Sequence, residues 1–401
     1  MKLSVGVFFG GRSVEHEVSV ITAVQAMHAM DKARYEVLPF YTTKEGVLYT
    51  GDALFEIERY RDIAALLALC TPVVLQRRRD GVYAMRAEPK RFGSNELGRV
   101  DVAFPAVHGT NTEDGSLQGF FETLLLPYAG CDVLSSALGM DKMAQKQVLK
   151  DAGLPVLDAI CFHTRDYVRD AEAMLNNIEA RFGYPVIVKP VNLGSSVGIG
   201  VANDREALRA AIDQASGFAF RLLCERAVGQ LREINCAVLG DYEEVVPSFL
   251  EEPVTSGEIL SYTDKYLSGG GAKQGQKGAG MSGARRRLPA DLPPEKAQEI
   301  RELALAAFHA LGCNGVVRID FLIDTADGDR VYINEPNTIP GSLAFYLFQP
   351  AGIPYDRLID RLIELALKRQ RERATLIFSY ETNIFDTKQT GALKGIKGMK
   401  G

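Results

Sequence analysis

Between Gly312 and Gly341 the chain reads GCNGVVRIDFLIDTADGDRVYINEPNTIPG, and three oxygen-bearing side chains within it, Asp320, Glu335 and Asn337, could gather around a cation. Val316, Val317, Ile319, Phe321 and Ile323 form an apolar run interrupted by Arg318 and Asp320. Asp327, Gly328 and Asp329 are turn formers, and residues 331–333 resume the apolar pattern, so the stretch predicts a β-hairpin. Alternate strand residues share a face, which lets Asp320 on the first strand meet Glu335 and Asn337 just past the second. Hard oxygen donors of this kind suit Mg²⁺, which takes one or two carboxylates and completes its shell with nucleotide phosphates. The structural alternative leaves both carboxylates solvated at a sheet edge and gives the glycines to turns.

A second stretch offers the phosphate partner. Lys189 ends an apolar strand-like run and is followed by Gly194, Ser195, Ser196, Gly198 and Gly200. A cation at a strand end before a run of flexible backbone N–H groups makes a nest for anions, phosphate above all. It is not the Walker pattern, because the lysine precedes the glycines. A glycine-rich hairpin turn is the competing reading. A third stretch, VHGTNTEDGSLQGFFE, places His108 directly after an apolar strand end, with Gly109, Gly115 and Gly119 letting backbone approach a ligand. Glu113 and Asp114 read there as acidic residues opening a helix.

The elements that must hold these residues follow from periodicity. Residues 3–9 read as a buried strand, Gly10 and Gly11 as a turn, and residues 15–30 as a helix, which opens a doubly wound α/β unit extending to about residue 135. Further strands fall at residues 35–41 and 100–105, with a short one before Gly130. From residue 136 to about 220 a second unit carries Lys142 and Lys146 on one helix, then Lys189 and its loop. A third unit, residues 221–370, returns to strands, with Glu225 ending one and Glu233 starting the next. Residues 252–294 form a long irregular segment containing Tyr262, Lys265 and Tyr266 beside Gly269, Gly270 and Gly271, which reads as a lid. The tail, residues 371–401, is rich in glycine and lysine towards its end and is assigned no function.

Composition narrows the function classes. At 401 residues the chain exceeds one ordinary core. A formal net charge of -5 argues against a nucleic-acid partner. No run is long and apolar enough for a membrane, and the opening KLSVGVFF lacks a signal-peptide pattern, so a cytoplasmic protein is expected. The six cysteines lack metal-ligand spacing and read as reduced packing residues.

In combination, GGRSVEHEVS, HGTNTEDGSLQG, MDK at residues 140–142, KPVNLGSSVGIG, DKYLSGG, and RIDF followed by NEPNTIPG resemble the D-alanine–D-alanine ligases of the ATP-grasp superfamily. The match runs from Gly10 to about Leu347. It implies an α/β (α+β) architecture, an ATP-grasp fold behind an N-terminal doubly wound domain. It also implies ATP between the last two units, Lys142 and Lys189 on its phosphates, Ser196 covering them, and Glu225 and Glu233 at adenine and ribose. Asp320, Glu335 and Asn337 would hold two Mg²⁺ ions, with Mn²⁺ as an alternative. By the same resemblance Glu15 binds the first ammonium, linked to Ser195 and Tyr266, with His108 alongside. Arg318 and the N–H of Gly341 stabilise the oxyanion, and Lys265 holds the transferring phosphate. The implied partners are D-alanine and ATP, and the family's common homodimer carries over.

Three departures stand out. Thr112 replaces a common glycine of the histidine loop. The lid is unusually glycine-rich after Leu267. Tyr346, followed by Leu347, falls where relatives carry a small hydroxyl residue for the second substrate. The alternatives are an ATP-grasp ligase with another D-amino acid or D-hydroxy acid, such as D-lactate, and a non-catalytic nucleotide-binding protein. Tyr266 speaks against the lactate form, and the full charged set against the non-catalytic one.

Overall fold

The computed structural model describes residues 2–194, 196–253 and 286–379. Ser195, Lys265, Tyr266, most of the expected lid and the end of the tail lie outside the described residues.

The strand Leu3–Gly10 pairs in parallel with Tyr35–Thr42 on one side and Val102–Pro105 on the other. Its apolar run is continuous because both faces are covered. Val5, Val7 and Phe9 pack with Val20, Ala23, Val24 and Met27 of the helix His16–Ala29, while Phe8 meets Phe40 and Phe121. Beyond Tyr35–Thr42 the seven-stranded sheet continues antiparallel through Leu48–Thr50, Thr71–Arg78, Gly81–Arg86 and Glu96–Val100. That extension was not expected, since its strands are short or end in charged residues such as Arg77 and Arg78. The strand expected before Gly130 is reduced to an isolated bridge between Ala103 and Tyr128.

The second sheet runs Gly200–Ala202, Val186–Pro190, Arg221–Arg226, Ala159–His163, all antiparallel. It extends through Arg226, past the expected limit near residue 220. Helices Ala171–Phe182 and Arg205–Ser216 cover it with Leu175, Ile178, Leu208 and Ile212. The third sheet runs Val245–Pro247, Leu231–Gly240, Gly315–Asp324, Arg330–Asn337 and is backed by the helix Pro294–Ala310. The C-terminal helix Tyr355–Arg373 returns to the first sheet, where Leu358, Ile359 and Leu362 join its core.

The single helix expected around Lys142 is two, Val133–Met140 and Lys142–Asp151. Asp141 breaks them apart: its carboxylate accepts from the N–H groups of Met143 and Ala144, the usual work of an N-cap aspartate. Lys142 thereby becomes the first residue of its helix.

Candidate active site

In the hairpin of Gly315–Asp324 and Arg330–Asn337, Asp320 stands opposite Glu335 and Arg318 opposite Asn337. A β-bulge after Asp320 shifts the register and leaves Asn334 unmatched, which re-aims the side chains at this end. Glu335 and Asn337 thus lie inside the second strand, not past it. Arg318 grips Asp320 through two hydrogen bonds of 2.6 and 2.7 Å, and the Asn337 amide donates to Asp320 at 3.1 Å. Burial would lower the Arg318 pKa, but the Asp320 carboxylate outweighs it and holds the guanidinium firmly charged. The donor set fits Mg²⁺: two carboxylates in register and an amide oxygen are hard ligands too few to enclose an ion, which leaves room for phosphate oxygens.

Facing these carboxylates are lysines from the second unit. Lys142 Nζ lies 3.2 Å from Glu335 and donates to the Leu193 carbonyl at 2.6 Å. Lys189 Nζ sits 2.5 Å from Glu225 and 3.3 Å from Asn334 Oδ1. Lys146 approaches the other Glu225 oxygen at 2.9 Å. Burial pushes the Glu225 carboxyl up, yet Lys189 and Lys146 outweigh it and pull its pKa down to about 2. Glu225 is fully buried with both oxygens turned to lysines, so its role in this structure is to fix Lys189. Lys146 was not singled out as a site residue. Its spacing of four from Lys142 sets both on one helix face and was the available signal.

Between the second and third sheets lies a cleft of about 700 Å³, of a size usual for ligand pockets. Lys142, Lys189, Ser196, Glu225, Glu233, Asp320 and Glu335 all line it, with Ile187, Leu231 and Leu322 as apolar wall. The turn at Gly198 needs glycine: its φ is +72°, and a Cβ there would come within 2.9 Å of Pro190 and Phe218.

A second, smaller pocket of about 50 Å³ adjoins the cleft and shares Lys142, Leu193, Gly194 and Glu335 with it. Glu15, His108, Glu113, Arg318, Asn337 and Gly341 also line it. His108 is buried, with Nε2 2.8 Å from the Thr22 hydroxyl. Burial, aided by the Arg318 charge, lowers its pKa to about 4, so the ring is neutral at neutral pH. Thr22 in turn accepts from the Ser342 N–H at 3.1 Å.

Glu113 was misread as a helix-opening residue. The helix starts at Ser116 behind Gly115, whose φ of 93° only glycine adopts readily. Glu113 is buried and accepts from the N–H groups of Gly109 and Ile339 at 3.1 and 2.8 Å and from the Thr338 hydroxyl at 3.2 Å. Thr112 bonds back to the His108 and Gly109 carbonyls at 3.2 and 3.0 Å, closing the loop where a glycine was expected.

Tyr346 and Leu347 line neither cavity. Leu347 is fully buried in the core. The Tyr346 hydroxyl donates to Glu251 at 3.2 Å, and the Arg286 guanidinium lies 3.8 Å from its ring centre, an arrangement of packing and cation–π contact.

Two antiparallel sheets clasping a nucleotide-sized cleft, with lysines from one and carboxylates from the other, define an ATP-grasp protein. The family profile described as "D-ala D-ala ligase N-terminus" matches residues 4–131 and that described as "D-ala D-ala ligase C-terminus" matches residues 148–364. The chain belongs to the D-alanine–D-alanine ligase family. It is 36% identical over 386 residues to the D-alanine–D-alanine ligase of Thermosipho africanus, covering 96% of this chain and 99% of the relative. To that of Caldicellulosiruptor bescii it is 39% identical over 386 residues, covering 95% and 99%. Among solved structures it is similar to the D-alanine–D-alanine ligase of Coxiella burnetii, with a TM-score of 0.76 and 29% identity over 93% of this chain and 96% of that one. The VanG D-Ala:D-Ser ligase of Enterococcus faecalis gives 0.74 and 30% over 91% and 100%.

Proposed function

We propose that this enzyme joins two D-alanine molecules into D-alanyl-D-alanine, a peptidoglycan precursor, at the expense of ATP. The carboxylate of the first D-alanine attacks the γ-phosphate, giving an acyl phosphate and ADP. The amine of the second attacks the acyl carbon, phosphate leaves, and the amine gives up a proton. The observation that carries this reading is the shared wall of the two cavities. A small polar pocket bounded by Glu15 and Arg318 opens onto the phosphate end of a nucleotide cleft at Lys142 and Glu335. Such a wall brings an amino acid's carboxylate and a terminal phosphate together, and positioning with charge neutralisation is most of what phosphoryl transfer needs.

Lys142 and Lys189 would hold phosphate oxygens, while Arg318, with its charge fixed by Asp320, would face the oxyanion beside the Gly341 N–H. Asp320, Glu335 and Asn337 would hold two Mg²⁺ ions, whose chemistry is to neutralise phosphate charge. His108, neutral and anchored on Thr22, packs the first substrate without competing for its ammonium. Similarity to a D-Ala:D-Ser ligase favours one second reading, a different D-amino acid in the second position.

The test is ADP release and product mass with D-alanine alone, then with D-serine or D-lactate added. Dipeptide from D-alanine alone is expected. A mixed product without any D-alanyl-D-alanine would transfer the assignment to the second reading, and no ADP release with any of them would refute both. Glu335→Gln should abolish turnover while circular dichroism stays native, because it removes a charge and a ligand at the phosphate end.

A further inference from the structure

One buried lysine reaches the nucleotide cleft only through a carboxylate. Lys146 stands one turn after Lys142 on the helix Lys142–Asp151 and is not one of the described residues that line the cleft. Its Nζ lies 2.9 Å from Glu225 Oε2 and donates to the Leu157 carbonyl at 3.3 Å, and both Glu225 and Leu157 do line it.

Strand register decides what Glu225 meets on its other side. Lys189 pairs with Leu223 and Glu225 with Ile187, so Lys189 and Glu225 stand diagonally on one face of the second sheet, the face turned to the cleft. Lys189 Nζ sits 2.5 Å from Glu225 Oε1. One fully buried carboxylate is thus shared between two ammonium groups, an oxygen to each, and the trio carries one net positive charge. Burial would lower the Lys189 pKa, but Glu225, Glu335 and Glu233 outweigh it and hold the ammonium charged.

A lysine facing one carboxylate alone is neutralised by it, and such a pair attracts a phosphate less than an ammonium whose counter-charge is already offset. Resting on the nucleotide reading of the cleft, we propose that Lys146 is a positioning residue for phosphate binding: it anchors and offsets Glu225, so that Lys189 presents a net cation to the nucleotide. Lys146 acts through Glu225 in this assignment and touches neither ATP nor D-alanine.

The experiment is calorimetric titration of the full chain with ATP and Mg²⁺ in the absence of D-alanine, alongside steady-state kinetics of ADP release. Lys146→Gln removes the charge and keeps a donor for Glu225 and the Leu157 carbonyl. It should weaken ATP binding and raise KM for ATP on the order of tenfold, with KM for D-alanine within about twofold of wild type. Lys146→Arg keeps the charge and should bind ATP within about threefold of wild type. The deciding variant combines Lys146→Gln with Glu225→Gln, which restores the single positive charge and should recover most of the lost affinity. A merely structural ion pair requires the opposite, because the double change removes more of it. Lys146→Met serves as the neutral variant where Lys146→Gln does not fold. ATP bound as tightly by a neutral variant as by wild type would overturn the proposal. So would a folded double variant as weak as Lys146→Gln alone. Either result leaves the nucleotide reading standing, whereas wild-type protein that binds no ATP sinks both.

Discussion

At the scale of single residues, His108 shows how burial converts a titratable group into a structural one. Its pKa falls from 6.5 in the open to about 4 in the fold, so the native state binds fewer protons than the unfolded one between those values. Stability from this residue is fully present above about pH 6.5 and is lost as pH falls through about 4, a difference of ~3 kcal/mol. Glu113 has the opposite sign: with its pKa raised from 4.5 to about 7, its contribution is present below about 4.5 and lost as pH rises through 7. In the wild type the two slopes oppose each other between pH 4.5 and 6.5. His108→Gln should expose the Glu113 slope, so its urea-unfolding free energy should fall with rising pH across that window relative to wild type. Parallel pH profiles for the two proteins would show that His108 does not titrate as described. Asp320, Glu335 and Lys189 were legible as single letters because a charge inside or at the end of an apolar run has few reasons to be there, whereas Lys142, on a polar helix, is marked out only by the family resemblance. Glu113 was not, since an acidic residue before a helix has an ordinary explanation. Tyr346 was ambiguous because an aromatic's letter carries no direction, and the fold turns its ring into the core.

At the scale of elements, the turn after Pro340 carries the most strain. Ser342, Leu343 and Ala344 have φ values of 52, 52 and 49°, three consecutive left-handed residues without a glycine among them. Each costs about 1–2 kcal/mol in this region, and such strain persists only where surrounding structure over-determines it. Here the Ser342 N–H is tied to Thr22 and Leu343 is locked in the core. The Ser342 hydroxyl is buried with no hydrogen-bond partner among the described residues. Ser342→Gly should therefore stabilise the fold by about 1 kcal/mol, the relieved strain and desolvation exceeding the 0.5–1 kcal/mol entropic cost of glycine. Denaturant unfolding measures it, and a loss of stability would mean that the hydroxyl has a partner. Little of this turn could be read beforehand, because left-handed backbone is signalled by glycine or asparagine and neither occurs at these positions. The helices were legible from their 3.6-residue period. The antiparallel extension of the first sheet was not, because Leu48–Thr50 is too short for a period and Thr71–Arg78 leaves much of itself exposed.

Across the whole molecule, the hydrophobic cores divide unevenly. The first sheet and the helix Tyr355–Arg373 share one core, so this helix packs with the N-terminal unit and not with the third unit in which its sequence position places it. The second sheet keeps a core of its own, from Phe162 and Leu175 to Leu208 and Cys224. The contacts of its strands with the hairpin sheet are largely polar: Lys189 to Asn334 and Arg226 to Asp324 at 2.8 Å. An interface of that kind favours relative movement of its two sides. On this basis we propose the second sheet and the two helices that cover it, residues 159–226, as a separately opening domain, and the nucleotide cleft lies along the seam. A ligand bridging the seam should suppress that opening by RT ln(1 + [L]/Kd), ~2.7 kcal/mol at a hundredfold excess over Kd. Hydrogen exchange with and without Mg²⁺ and a non-hydrolysable ATP analogue should then show slowing in Val186–Pro190 and Arg221–Arg226. The strand Leu3–Gly10, in the other core, should keep its rate. Equal slowing in both places would mean that the molecule opens as one body, and no slowing in the second sheet would place the nucleotide elsewhere.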